Sequence, residues 1–102
     1  MEKIGRMALL HDIYGALLTP KQANALTMFY EEDLSLGEIA EIIGVSRQAV
    51  YDMLKRSEET LEKYEAKLGV LQKDLETINL LNEAMEKQDW QLVQKAKENL
   101  KQ

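Results

Sequence analysis

Apolar positions recur three and four residues apart along almost the whole chain, a pattern that predicts helices. From about Lys3 to Leu18, the residues Ile4, Met7, His11, Tyr14 and Leu18 mark one wide stripe, with Leu10 and Leu17 beside it. Thr19-Pro20 punctuates the stripe: Thr19 can cap a new helix and Pro20 suits its first position. A second helix is predicted over Pro20 to Glu31, with Ala23, Leu26, Phe29 and Tyr30 as its face. Glu31, Glu32 and Asp33 then oppose the negative end of its dipole and should stop it.

Ser35 opens a third helix. Ser35-Leu36-Gly37-Glu38 is a capping box, in which the serine oxygen takes one free amide and the glutamate reaches back to another. Ile39, Ala40, Ile42 and Ile43 follow, and Gly44 is placed to end the helix in a left-handed conformation. Val45 is the hydrophobe of the turn, Ser46 caps the next helix, and Arg47 begins it. This layout is a helix-turn-helix. Small Ala40 allows close approach, and Val45 and Val50 are expected to fill the angle between the helices.

No proline interrupts the chain after Arg47. A seven-residue repeat can be read through Leu61, Tyr64, Leu68, Leu71, Leu75, Ile78, Asn82 and Met85, with polar Asn82 at a register-setting position and Gly69 as a weak point. The repeat suits a coiled coil that makes a homodimer. The competing arrangement is a terminal helix, Trp90 to about Leu100 after a break at Asp89-Trp90, folded back over the seam. The expected division is a helix-turn-helix domain over 1–60 and a helical extension over 61–102, in one structural unit.

Charge sharpens the picture. The 102 residues carry a net −5 at an isoelectric point near 4.9, which is unfavourable for phosphate binding taken as a total. Its distribution is uneven: residues 46–56 hold Arg47, Lys55 and Arg56 against Asp52 for +2, while residues 21–45 hold −4 and 57–89 hold −5. The basic stretch falls where a recognition helix would lie. Ser46, Arg47, Gln48, Tyr51, Lys55 and Arg56 are therefore the candidate nucleic-acid-binding residues. Arg and Gln suit base edges; Ser, Tyr and Lys suit phosphates. The alternative is that the cations form only a solvated face. The acidic run Glu58, Glu59, Glu62 and Glu65 reads as a solvated face or as a dock for a basic protein. Tyr14, Phe29, Tyr30 and Trp90 could stack on RNA bases, although the first three sit at apolar positions that suit a core.

Other chemistry is poorly supplied. There is no cysteine, so neither disulfides nor thiolate metal sites can form, and a reducing cytoplasm is the expected setting. The lone His11 beside Asp12 is no metal site and reads as packing. No signal peptide is expected, and no apolar run approaches the roughly 20 residues of a membrane helix. Single scattered glycines and exposed acidic pairs offer neither a phosphate loop nor a nucleophile, so no enzyme, cofactor or metal is expected.

Three joined segments carry a family likeness: Leu17-Leu18-Thr19-Pro20-Lys21-Gln22, then Tyr30 through Glu41, then Gly44 through Asp52. Over roughly residues 1–85 they resemble the YlxM family of Gram-positive bacteria, and more distantly region four of bacterial sigma factors. The resemblance implies an all-α helix-turn-helix bundle like sigma region four with a long, coiled-coil-like C-terminal extension. It also implies a cytoplasmic regulatory protein of the signal recognition particle pathway, because the family's gene usually lies beside that of the particle's GTPase. The implied partner is duplex DNA or the particle's RNA. The alternative is a protein-interaction module contacting the GTPase or its receptor. No catalytic residue carries over; His11 stands where the family pattern suggests an aromatic, and the tail after about Met85 matches nothing in the pattern.

Overall fold

Capping side chains fix where several helices of this chain begin. The computed structural model describes residues 2–101 and shows α1 (Lys3–Tyr14) with a 3₁₀ turn (Gly15–Leu17), then α2 (Pro20–Leu26) running into a π turn (Thr27–Glu31). After these come α3 (Leu36–Ile43), α4 (Arg47–Leu68), α5 (Val70–Lys87) and α6 (Trp90–Leu100), with no strand among the described residues. Thr19 Oγ1 accepts from the Gln22 amide at 3.2 Å, and the Gln22 side chain accepts from the Thr19 amide at 3.2 Å. Ser35 and Glu38 make the same reciprocal pair at 3.1 and 3.0 Å.

That second box has a pH consequence. The hydrogen bond from the Ser35 amide, helped by the serine side chain, holds the Glu38 carboxyl below its ordinary 4.5. A lowered carboxyl contributes stability above its ordinary value and loses it as pH falls through the lower folded value. Glu38→Gln should therefore shrink the difference between urea midpoints measured at pH 7 and pH 3. An unchanged difference would mean that the box holds the charged and neutral forms equally.

The first compact unit runs to Lys67 and the second begins at Leu68, so the first takes in α4 past the expected 60/61 division. In the first unit, Met7, Leu10, Tyr14, Leu26, Ile39, Val50, Leu54 and Leu61 are buried. α1 is shorter than expected, and two residues of its stripe lie outside the core: Ile4 is 62% exposed and Leu17 57%. The buried arc centres on Leu10 and Tyr14, and at 3.6 residues per turn Ile4 lies about 100° from its midpoint. His11 is half-buried, and its Nε2 lies 3.1 Å from Thr27 Oγ1. Because that hydroxyl donates to the Ala23 carbonyl at 3.0 Å, it must accept from His11, which fixes the proton on Nε2.

Three of the four carboxylates in the acidic run of α4 are engaged within the first unit. Glu58 accepts from the Tyr30 hydroxyl at 2.7 Å and pairs with Lys3 at 2.9 Å. Glu62 meets Arg6 in a forked pair at 2.7 to 3.1 Å. Buried Glu65 accepts from the Tyr14 hydroxyl at 2.7 Å. Spaced at three and four residues, these carboxylates line one side of α4 and tie α1 and the π turn to it. Glu59 is exposed, and the Glu62 side chain stays partly so. Burial, with Glu58 accepting its hydrogen bond, pushes the Tyr30 hydroxyl above its ordinary value, and the Glu62 hydrogen bond does the same for Arg6.

The turn between α3 and α4 forms as expected at Gly44, whose φ is +74°. The amides of Gly44 and Val45 both donate to the Ala40 carbonyl, at 2.9 and 3.1 Å. Val45 does not fill the interhelical angle. That bifurcated closure turns it outward to 42% exposure, leaving buried Val50 to fill the core. Ile42 and Ile43 are exposed as well, and with Val45, Met28 and Met53 they line a shallow apolar groove of about 480 Å³.

Gly69, at φ +62°, ends α4 at Leu68. The seven-residue seam is thus not one continuous helix, because a left-handed residue cannot propagate the α-helical phase. Leu61 and Leu71 are buried, Tyr64 and Leu75 are half-buried, and Leu68, Ile78, Asn82 and Met85 are exposed. In the second unit, α5 ends on left-handed Gln88, and Asp89 caps α6 by accepting from the Gln91 amide at 2.9 Å. α6 packs back on α5, and Asn99 donates to the Lys73 carbonyl and to Thr77 Oγ1 at 3.0 and 2.7 Å. The hairpin expected as the competing arrangement exists, but it uses the Lys73–Thr77 side of α5 and leaves Ile78 and Met85 outside.

Candidate nucleic-acid interface

The start of α4 is positioned from both sides. Ser46 Oγ accepts from the Ala49 amide at 3.1 Å, and Val50 and Leu54 anchor the helix in the core. With that face inward, Gln48, Asp52 and Lys55 point away from the core by helical geometry, and Arg47 and Tyr51 flank them on the side of α3. Arg47, Tyr51 and Lys55 stand on successive turns and are all exposed. The Arg47 stem passes Gly37: a Cβ placed there would lie 3.8 Å from Arg47 Cδ and Nε. Leu36, Arg47, Gln48 and Tyr51 together line an open hollow of about 460 Å³. The Lys55 ammonium lies 6.0 Å from the centroid of the Tyr51 ring.

Two candidates stand apart. Ser46 spends its hydroxyl on the cap, so its first role is to start the helix. Arg56 is exposed but lies about 180° around α4 from Arg47, at the opposite edge of the outward face. Gln48 is partly committed: its amide nitrogen donates to Asp52 Oδ1 at 3.0 Å, which also covers part of the negative charge nearest the helix start.

Sequence reasoning missed the neighbouring groove of about 710 Å³, where Phe29, Tyr30 and Tyr51 meet Lys3, Lys55 and Lys63. The adjacent Phe29-Tyr30 pair was its only signal. In an α-helix such neighbours diverge by about 100°. Here the π turn keeps both rings half-buried with centroids 5.0 Å apart, edge to face. Among the other aromatics, Tyr14 is core and Trp90 is 80% exposed on α6.

Over residues 1–101 the chain matches the family model described as "Putative helix-turn-helix protein, YlxM / p13 like". It is 59% identical over 73 residues to the UPF0122 protein of Geobacillus kaustophilus, covering 72% of this chain and 66% of that one. To the UPF0122 protein of Caldanaerobacter subterraneus it is 52% identical over 80 residues, covering 78% and 68%. The match to that of Desulforamulus reducens is 51% over 89 residues, covering 80% and 76%. The chain thus spans about two thirds to three quarters of these relatives' length.

Proposed function

The chain belongs to the YlxM/p13-like family of helix-turn-helix proteins, and from that membership and the exposed start of α4 we propose that it is a regulatory protein that binds nucleic acid and catalyses nothing. The carrying observation is the row Arg47, Tyr51 and Lys55, solvent-facing on successive turns of the helix that follows the Gly44 turn. Guanidinium and carboxamide groups there suit base edges, and the lysine suits phosphate. Burial of Glu65 and pairing of Glu58 and Glu62 inside the first unit leave this face less opposed by acid than the composition suggests.

The role in the signal recognition particle pathway implied by the resemblance enters as a choice of target, particle RNA or duplex DNA. A cytoplasmic setting goes with it; among the described residues no helix is long and apolar enough to cross a membrane. The alternative, a module contacting the particle's GTPase or its receptor, has less of the acidic run free as its surface, because Glu65 is buried and Glu58 and Glu62 are engaged by Lys3, Tyr30 and Arg6. Self-association stays within the proposal, with Leu68, Ile78, Asn82 and Met85 as the seam residues left for a second copy to cover.

Titration into labelled particle RNA and mixed-sequence duplex at several salt concentrations tests the reading. Affinity should fall steeply with salt. Arg47→Ala with Lys55→Ala should weaken binding about tenfold and flatten the log–log salt slope by roughly 1, for the phosphate contact of the lysine. Unchanged affinity in the double variant would remove α4 as the interface.

A further inference from the structure

We propose that the groove beside the start of α4 receives an unstacked nucleobase, so that the protein prefers nucleic acid with unpaired bases over a perfect duplex. The inference rests on the nucleic-acid reading above and names what that surface selects. The hollow at Arg47 and the larger groove share Leu36 and Tyr51, so a backbone held at Arg47 and Lys55 passes the groove's mouth. Tyr51 is 47% exposed at that junction, a flat apolar face with the Lys55 cation beside it. Further in, the groove offers the Phe29 and Tyr30 rings over a floor of buried Met7 and Leu54.

A nucleobase is the occupant these features fit: it brings two apolar faces, a polar edge and an attached phosphate. A base within a duplex has both faces covered by its neighbours and cannot enter, whereas a base in a loop or bulge can. The groove also holds carboxylates, and they are accounted for. Glu58 is engaged by Lys3 and Tyr30, and Glu62 by Arg6. Glu59, exposed on the rim near Lys63, can accept from the exocyclic amine of adenine, cytosine or guanine. An acidic peptide would gain nothing from these acceptors.

The test compares affinities for a hairpin carrying a short bulge and for the same helix fully paired, each in RNA and in DNA. Wild-type protein should favour the bulged form about tenfold in at least one polymer, and the polymer with the larger ratio is the source of the base. Tyr51→Leu should bring that ratio close to one; because Tyr51 is exposed, this variant should fold. Phe29→Leu, checked by thermal melting, should do the same. Lys55→Ala should weaken both forms and keep the ratio. A wild-type ratio near one with measurable duplex binding overturns the groove alone, as does a Tyr51→Leu variant that loses both forms equally. Binding to neither form overturns the nucleic-acid reading and the groove with it.

Discussion

Truncating Leu61 to alanine is expected to destabilise the protein by about 2–5 kcal/mol, while Met85→Ala should change the stability of a single chain by less than about 0.5 kcal/mol. Both residues belong to the same seven-residue seam in the sequence. Leu61 is fully buried, and a deleted isobutyl group there leaves a cavity among close-packed neighbours. Met85 is 78% exposed and has little packing to lose. Urea unfolding followed by helical signal measures both, and a chain of this size has only about 5–15 kcal/mol to lose. A continuous seam would make the two truncations comparable, so equal losses would contradict the break at Gly69. Concentration adds a second readout. If a second copy covers Ile78 and Met85, the wild-type midpoint rises with protein concentration and Met85→Ala removes that rise.

Tyr14→Phe is expected to cost about 1.5–3 kcal/mol, the range for hydrogen bonds to charged groups. The substitution keeps the ring, which lies 5.9 Å from that of Tyr64, and deletes only the hydroxyl. That hydroxyl, on a side chain 2% exposed, donates to Glu65 at 2.7 Å, and Glu65 is itself 9% exposed. Losing a donor to a buried carboxyl costs more than the bond is worth on balance, because the acceptor must still be desolvated. The double variant Tyr14→Phe with Glu65→Leu should therefore lose less than the two single costs combined, by about 1 kcal/mol in a double-mutant cycle. Additive losses, or a Tyr14→Phe cost below about 0.5 kcal/mol, would mean that the two groups do not act as a pair.

The parts of this fold legible in the sequence are those set by local chemistry. Thr19-Pro20, Ser35 with Glu38, Gly44, Ser46 and Asp89 each satisfy or redirect backbone groups within a few residues, so their meaning does not depend on the rest of the chain. The candidate face on α4 was legible for the same reason: once the helix start is known, periodicity orients Arg47, Tyr51 and Lys55. What was not legible depended on partners distant in sequence. Glu58, Glu62 and Glu65 look like a charged surface until α1 supplies Lys3, Arg6 and Tyr14 more than fifty residues away. The seam from Leu61 to Met85 kept its spacing across Gly69 because a repeat of letters does not register one residue's left-handed φ. The groove depends on a π turn, for which no simple spacing rule exists, so Phe29 and Tyr30 suited a core or RNA stacking but gave no sign of a shared groove.

The ion pairs that hold α1 against α4 also alter how the molecule looks from a distance. Lys3 with Glu58, and Arg6 with Glu62, are four formal charges but only two short dipoles. A dipole's field decays faster than a charge's, and beyond about 8 Å at physiological ionic strength salt screens what is left. An approaching polyanion therefore responds mainly to the unpaired groups nearest its path. On the front of α4 these are Arg47 and Lys55, with Asp52 bonded to Gln48 and Glu59 further along the helix, so the isoelectric point overstates the barrier to encounter at the helix start.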